Sequence, residues 1–420
     1  MTRFMAYQVV KSNSLFVLPA PISYSVELTY DCYHNCSGCA NTWRNKKKSY
    51  LQQWKTLLDQ IAPPDNRCQH AEVIRITGGE PTLHNEFFKI IKYLDTFGIN
   101  HALFTCGRWK NPQQVIDLYL GCQNSVGMLI SLHGHTKDMH HQFVKSDQDS
   151  FNETCSNIYM AAKSGVEVFT NTVLTCDTCQ QINEIVSLSQ ELGAQCAVFN
   201  RFIGSSHPLH PSDDQLKQAI IQINQLNEQG IHCRIGNCIP KCFIPNSSEA
   251  SNSGIEHCAI SPDGWVRPDN HTKYTFGNLF NESIEKIWHS KKAAQYRTYC
   301  NELCLKCLEF SHCRGGERSE IIEYGLKQDR LMTNPIVDKK HEPIILNPTW
   351  KPVPIYRIKK GHSGYVLTRY NISIPVSSDI CPLLDFIDGQ HTLSEIDARL
   401  GDSAINVIGY LYKLDFIDFC

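Results

Sequence analysis

Three cysteines lie close together near the start of the chain in the run DCYHNCSGCAN, placing Cys32, Cys36 and Cys39 at the spacing C-x3-C-x2-C. Three thiolates in one loop suit three corners of a [4Fe–4S] cube and leave its fourth iron open to a second molecule. Half of a zinc site and three buried thiols are the competing interpretations. Farther on, Thr77-Gly78-Gly79-Glu80-Pro81 joins two glycines that allow close backbone approach to a carboxylate that can meet an ammonium group. Such a run also serves as a tight strand-to-helix connection. A second cysteine group, Cys233, Cys238, Cys242, Cys258, Cys300, Cys304, Cys307 and Cys313, has enough thiols for two four-cysteine clusters. Its specific part is Cys304-x2-Cys307-x5-Cys313, for which zinc is the alternative occupant. The pair Cys176 and Cys179 is taken as incidental, and His133, His135, His140 and His141 as solvated histidines of a polar loop after a strand.

The elements that must position these residues follow from periodicity. Between Tyr24 and Arg201, six β-rich runs (23 to 30, 72 to 77, 101 to 105, 126 to 132, 166 to 174 and 195 to 202) alternate with helical patterns such as Phe87, Phe88, Ile90, Ile91 and Leu94. This is the pattern of a parallel sheet built from βα units. Six units are too few for a closed eight-stranded barrel, so the expectation is an α/β fold with an open, partial (β/α)6 barrel whose site lies at the carboxyl ends of the strands. Cys32 to Cys39 follow the first strand and Gly78 to Pro81 the second.

The chain has 420 residues, which points to more than one domain. Residues 1–205 form the expected barrel, 206–333 a cysteine-rich unit, and 334–354, with five prolines, a linker. Residues 355–420 are expected to form a small α+β unit with helices at 379 to 388, 393 to 400 and 403 to 413, the second opened by a Thr392/Glu395 capping box. Forty basic residues against 42 acidic ones give a net charge of −2, so no electrostatic excess favours nucleic acid. No apolar run reaches the roughly 20 residues that span a bilayer, and the first residues lack a signal-peptide core. The cytoplasm is the expected location, with the 20 cysteines serving as metal ligands and buried thiols in preference to disulfides.

From residue 24 to about 203 the sequence resembles the radical S-adenosylmethionine (SAM) superfamily. The resemblance implies that Cys32, Cys36 and Cys39 hold the catalytic [4Fe–4S] cluster and that Gly78, Gly79, Glu80 and Pro81 meet the SAM amino group. By position it also implies Ser131 near the ribose, Asn171 beside it, and Arg201 as a carboxylate or substrate clamp. One departure is Gly38, where many members have an aromatic residue before the third cysteine.

The second cysteine group is similar to the SPASM extension, which holds auxiliary iron–sulfur clusters. Cys304, Cys307 and Cys313 match its core, with Cys238, Cys242 and Cys258 as further candidate ligands. Asp269 and Glu317 stand where that pattern has cysteine, and its closing cysteine is absent, so one auxiliary [4Fe–4S] cluster is better supported than two.

The stretches SGYVLTRYN, ICPLLDFIDGQHTLSEIDARL and YLYKLDFI resemble the PqqD-like peptide-recognition fold, a small winged-helix domain that binds leader segments of ribosomally made peptides. Together the resemblances imply a maturase that abstracts hydrogen from a precursor peptide and then crosslinks, oxidises or excises part of a residue, fed electrons by a flavodoxin or ferredoxin. A radical SAM enzyme acting on a small molecule, with the C-terminal unit as a lid, is the second expectation. A non-catalytic iron–sulfur peptide-binding scaffold is the third.

Overall fold

The computed structural model describes residues 6–7, 20–39, 41, 51–63, 71–146, 149–204, 207–245, 247, 250–307, 309–335, 344–360, 364–369, 372–377, 380–413 and 416–420. Strand β1 (Ala6–Tyr7) precedes the main sheet, which begins with β2 (Ser23–Glu27), β3 (Val73–Thr77), β4 (His101–Thr105), β5 (Ser125–Ser131), β6 (Val168–Leu174) and β7 (Cys196–Arg201). These are the six strands expected from the sequence, and in β6 every second residue is buried, as a pleated surface between core and cavity requires. Helices α1 (Trp54–Ile61), α2 (Phe87–Thr96), α3 (Pro112–Leu120), α4 (Lys137–Val144), α5 (Ser150–Lys163), α6 (Ile182–Glu191) and α7 (Asp213–Glu228) connect them. Ser212 and Gln215 open α7 with a reciprocal capping box.

The sheet is larger than six strands. β8 (Cys233–Ile235) adds in parallel beyond β7, and β9 (His257–Ile260) adds in parallel beside β2. β10 (Trp265–Arg267) and β11 (Gly277–Asn278) then continue that edge antiparallel, giving the order β11-β10-β9-β2-β3-β4-β5-β6-β7-β8. The cysteine-rich segment therefore extends the sheet of the barrel directly. The main apolar core lies between this sheet and its helices, from Tyr24 and Val26 through Leu103 and Ile130 to Trp288 and Tyr296.

The C-terminal part has a separate core around Leu346, Leu367, Ile396, Ile405, Ile408 and Phe416. Its strands β14 (Arg357–Lys360), β15 (Gly364–Arg369) and β16 (Ile372–Ser377) form a three-stranded antiparallel sheet, followed by helices Cys381–Leu384, Leu393–Leu400 and Asp402–Lys413. The Thr392/Glu395 capping box forms. Expected as linker, residues 344–354 instead belong largely to this unit. β12 (Ile344–Ile345) pairs with β1, β13 (Pro352–Pro354) pairs with β17 (Ile417–Phe419), and Leu346 is completely buried in the C-terminal core. Pro352 and Pro354 fit because β13 and β17 form an isolated two-stranded ladder, where a missing N–H costs little.

Candidate cluster and cofactor site

Three backbone hydrogen bonds lock the first cysteine loop to the glycine run. Leu28 N donates to Thr77 O at 2.9 Å, Gly79 N to Thr29 O at 2.6 Å and Glu80 N to Asp31 O at 2.7 Å. A Cβ on Gly79 would lie 2.2 Å from the Asp31 carbonyl oxygen and one on Gly78 2.3 Å from that of Thr29. The close approach that these glycines permit is thus to the segment carrying the cysteines. On its other side the loop is held by Asn35 N to Val144 O at 2.9 Å and Ser37 N to Phe143 O at 2.8 Å, at the end of α4.

Within this frame Cys32 and Cys39 are exposed and Cys36 half-buried. Three thiols on one loop offer the kind of ligand an iron–sulfur cluster takes. A hydrogen bond from buried Cys106 pulls the Cys32 thiol below its usual pKa and favours the thiolate that an iron needs. Cys106, at the end of β4, is a neighbour that the motif did not reveal. Gly38 is explained by Phe143 and Phe202, whose rings would lie 2.9 and 2.8 Å from a Cβ there. These aromatics fill the space that a residue before the third cysteine would take.

The Glu80 side chain is engaged inside the fold. Its carboxylate is fully buried and accepts from Thr82 N (3.2 Å), Thr82 Oγ1 (2.7 Å), Thr105 Oγ1 (2.7 Å) and Cys106 N (2.9 Å). These four donors tie the carboxylate to the turn that follows and to the end of β4. Burial raises its pKa and the same donors lower it. Glu80 therefore ties the ends of β3 and β4 together, and Pro81 starts the one-turn helix that follows.

Arg201 is buried in ion pairs with Asp329 at 2.9 Å and Glu320 at 3.1 Å, both in the cysteine-rich segment, and so joins barrel to extension. Ser131, the last residue of β5, pairs with Asn171 in the middle of β6, and Asn200 donates to Asn171 Oδ1. His133 and His140 are buried, not solvated. Each accepts a backbone N–H, from Val173 and His133 respectively, and burial depresses the pKa of both, to about 3 for His140.

In the second cysteine group, Cys242, Cys304, Cys307 and Cys313 line one cleft together with Phe310, Gly315 and Met332. Cys242 comes from the segment after β8 and Cys313 from the helix Phe310–Cys313, so ligands far apart in sequence converge. Cys258 does not join them. It is fully buried in β9, within the barrel core, and burial alone pushes its thiol pKa far upward. Cys238 is buried, its thiol pKa raised by burial and by neighbouring Cys313, and Cys233 packs between β8 and α7, with its thiol near Ile223 O. Where the SPASM pattern has cysteine, Asp269 and Glu317 are buried carboxylates. Burial and neighbouring Asp269 push the Glu317 pKa up to about 8. Asp329 accepts from Glu317 N and from Arg201, so this place is filled by a charged network.

Comparison with known proteins agrees with this geometry. Residues 26–188 match the radical SAM superfamily, and residues 252–308 match the SPASM iron–sulfur cluster-binding domain. The mycofactocin maturase MftC of Mycolicibacterium smegmatis is 24% identical over 319 residues, covering 71% of this chain and 78% of that protein. The AdoMet-dependent heme synthase of Oleidesulfovibrio alaskensis is 24% identical over 333 residues, covering 70% and 81%. The structure of Streptococcus suis SuiB bound to precursor peptide SuiA is similar with a TM-score of 0.61 at 15% identity, over 74% of this chain and 75% of that one.

The chain carries a radical SAM domain followed by a SPASM domain. It is a radical SAM enzyme, and its cofactors are SAM, the [4Fe–4S] cluster that binds SAM, and auxiliary iron–sulfur clusters of the SPASM type. No helix among the described residues is long and apolar enough to cross a membrane.

Proposed function

We propose that this protein is a maturase that modifies a ribosomally synthesised precursor peptide. Cys32, Cys36 and Cys39 hold the SAM-binding cluster, while the Gly78–Gly79 backbone, Ser131 at the end of β5 and Asn171 beside it in β6 border the cofactor. Bound there, SAM and a reduced cluster would supply the radical chemistry that takes a hydrogen atom from a core-peptide residue, with crosslinking, oxidation or excision of part of that residue to follow. Cys242, Cys304, Cys307 and Cys313 hold one auxiliary cluster, suited to accept an electron from the peptide. A flavodoxin or ferredoxin is the reductant and the cytoplasm the location.

One observation carries the peptide assignment. Among the described residues, the C-terminal sheet β14-β15-β16 leaves the outer edges of β14 and β16 without a strand partner. An extended leader can pair with such an edge through its main chain, with side-chain pockets giving selectivity. The unit from β12 to the end of the chain, resembling a PqqD-like winged helix, is thus the leader-binding part, beside a barrel and a cluster-bearing extension. The likeness to a mycofactocin maturase supports this assignment, and the likeness to a heme synthase supports a small-molecule enzyme as the second one. Mass spectrometry of peptides encoded beside the gene, incubated with enzyme, SAM and reductant, separates the two. A mass change that requires the leader supports the maturase, and 5′-deoxyadenosine with no peptide altered favours the small molecule.

A further inference from the structure

At the amino ends of the strands, across the sheet from the cysteine loop, Asp95, His101 and Cys122 each bring one ligand atom within 4.8 Å of the others. They come from the last turn of α2, the first residue of β4 and the segment after α3. His101 is completely buried, its Nδ1 is 3.0 Å from Ile99 O, and its Nε2 has no hydrogen-bond partner. With Nδ1–H donated to the carbonyl, Nε2 presents a lone pair and nothing to receive it. Asp95 Oδ1 accepts from Asn124 N at 2.7 Å and Asn124 Nδ2 at 3.1 Å, which fixes the carboxylate and leaves Oδ2 outside these bonds. A buried imidazole held through its other nitrogen and a carboxylate held by amides are the outer-shell arrangement of metal sites. No hydrogen bond joins the three side chains to one another among the described residues, although they are this close.

We propose that Asp95 Oδ2, His101 Nε2 and Cys122 Sγ bind one Zn²⁺ ion, with water as the fourth ligand. Mixed nitrogen, sulfur and oxygen donors at tetrahedral number suit zinc, whereas a single thiol cannot hold an iron–sulfur cluster, and magnesium or calcium would take oxygens only. On binding, Cys122 releases its proton to solvent and forms the Zn–S bond. The ion clips α2, β4 and the segment after α3 together at the barrel face that contributes stability and not chemistry.

Zinc and iron analysis of the cluster-loaded full-length enzyme, with zinc K-edge absorption, tests the site. About one zinc per chain is expected beyond the iron, with one sulfur ligand near 2.3 Å and the remainder nitrogen and oxygen near 2.0–2.2 Å. Cys122→Ser and Asp95→Asn should each lower the zinc content severalfold while leaving iron content and SAM cleavage unchanged. Cys122 and Asp95 are only partly buried, so both variants should fold. Equal zinc in wild type and variants, an all-sulfur zinc spectrum indicating occupancy of the cluster cysteines, or no zinc at all would each overturn the assignment.

Discussion

Glu80 and Glu317 are both carboxylates that the sequence marks for attention, and burial gives them different consequences. Glu80 is held by four donors, so Glu80→Gln turns an NH2 group toward some of them and should cost about 1–3 kcal/mol in denaturant unfolding. Weaker SAM binding at full stability would instead support an ammonium contact. Glu317 has few donors and a carboxylate neighbour, hence its pKa near 8. A carboxyl group whose folded pKa lies above its unfolded value stabilises the fold below the unfolded pKa and loses that contribution as pH rises toward the folded one. Stability should therefore fall between about pH 4.5 and pH 8, with a slope of up to about 1.4 kcal/mol per pH unit from this group. Glu317→Gln keeps an acceptor for Ser319 N and should flatten that slope in thermal melts across the range. An unchanged slope would show that another group titrates. Residue types were legible in the sequence: three thiols at fixed spacing announce a cluster wherever they fold. Partners were not, because Glu80 meets Thr105 and Cys106, and Arg201 meets Asp329, only after the chain has folded.

At the scale of elements, the strands of the barrel were readable because each is a β-rich run between helical patterns. β8 was not, since Cys233–Ile235 is only three residues, and neither was the parallel pairing of β9 beside β2, since His257–Ile260 feeds a hairpin in place of a helix. Those two strands matter for function, because they carry the cysteine-rich segment onto both edges of the same sheet as the first cluster loop. The joint between the two motif loops is a backbone contact, and it should fail if a methyl group enters it. Gly79→Ala places Cβ against the Asp31 carbonyl, so the loop must shift and the first cluster should be lost. Iron analysis should then show about four fewer irons per chain and no 5′-deoxyadenosine. Full iron content would mean that the loop accommodates the methyl. Cys242→Ser probes the other cleft: reduced auxiliary iron with SAM cleavage retained is expected, and an unchanged auxiliary spectrum would exclude Cys242 as a ligand.

For the whole molecule, the question is whether the C-terminal unit captures a peptide or only covers the barrel. Proline content made residues 334–354 look like a linker, but β12 and β13 and the buried Leu346 tie 344–354 to the C-terminal core. Proline marks where a helix cannot run and says nothing of which core its neighbours join. A cut at residue 355 would remove the partner of β13 and expose Leu346 with Trp350, which packs 5.1 Å from Phe419. Deletion should therefore begin at residue 344, leaving the barrel and the cysteine-rich segment with their own cores. In this truncated enzyme, iron content and uncoupled SAM cleavage are expected to persist while modification of a leader-bearing peptide is lost. Residues 344–420 expressed alone should bind the leader of the precursor peptide, and a proline in the leader's pairing segment should weaken that binding by removing a ladder hydrogen bond. Processing at full rate by the truncated enzyme, or no leader binding by the C-terminal unit, would leave that unit as a lid over a small-molecule site.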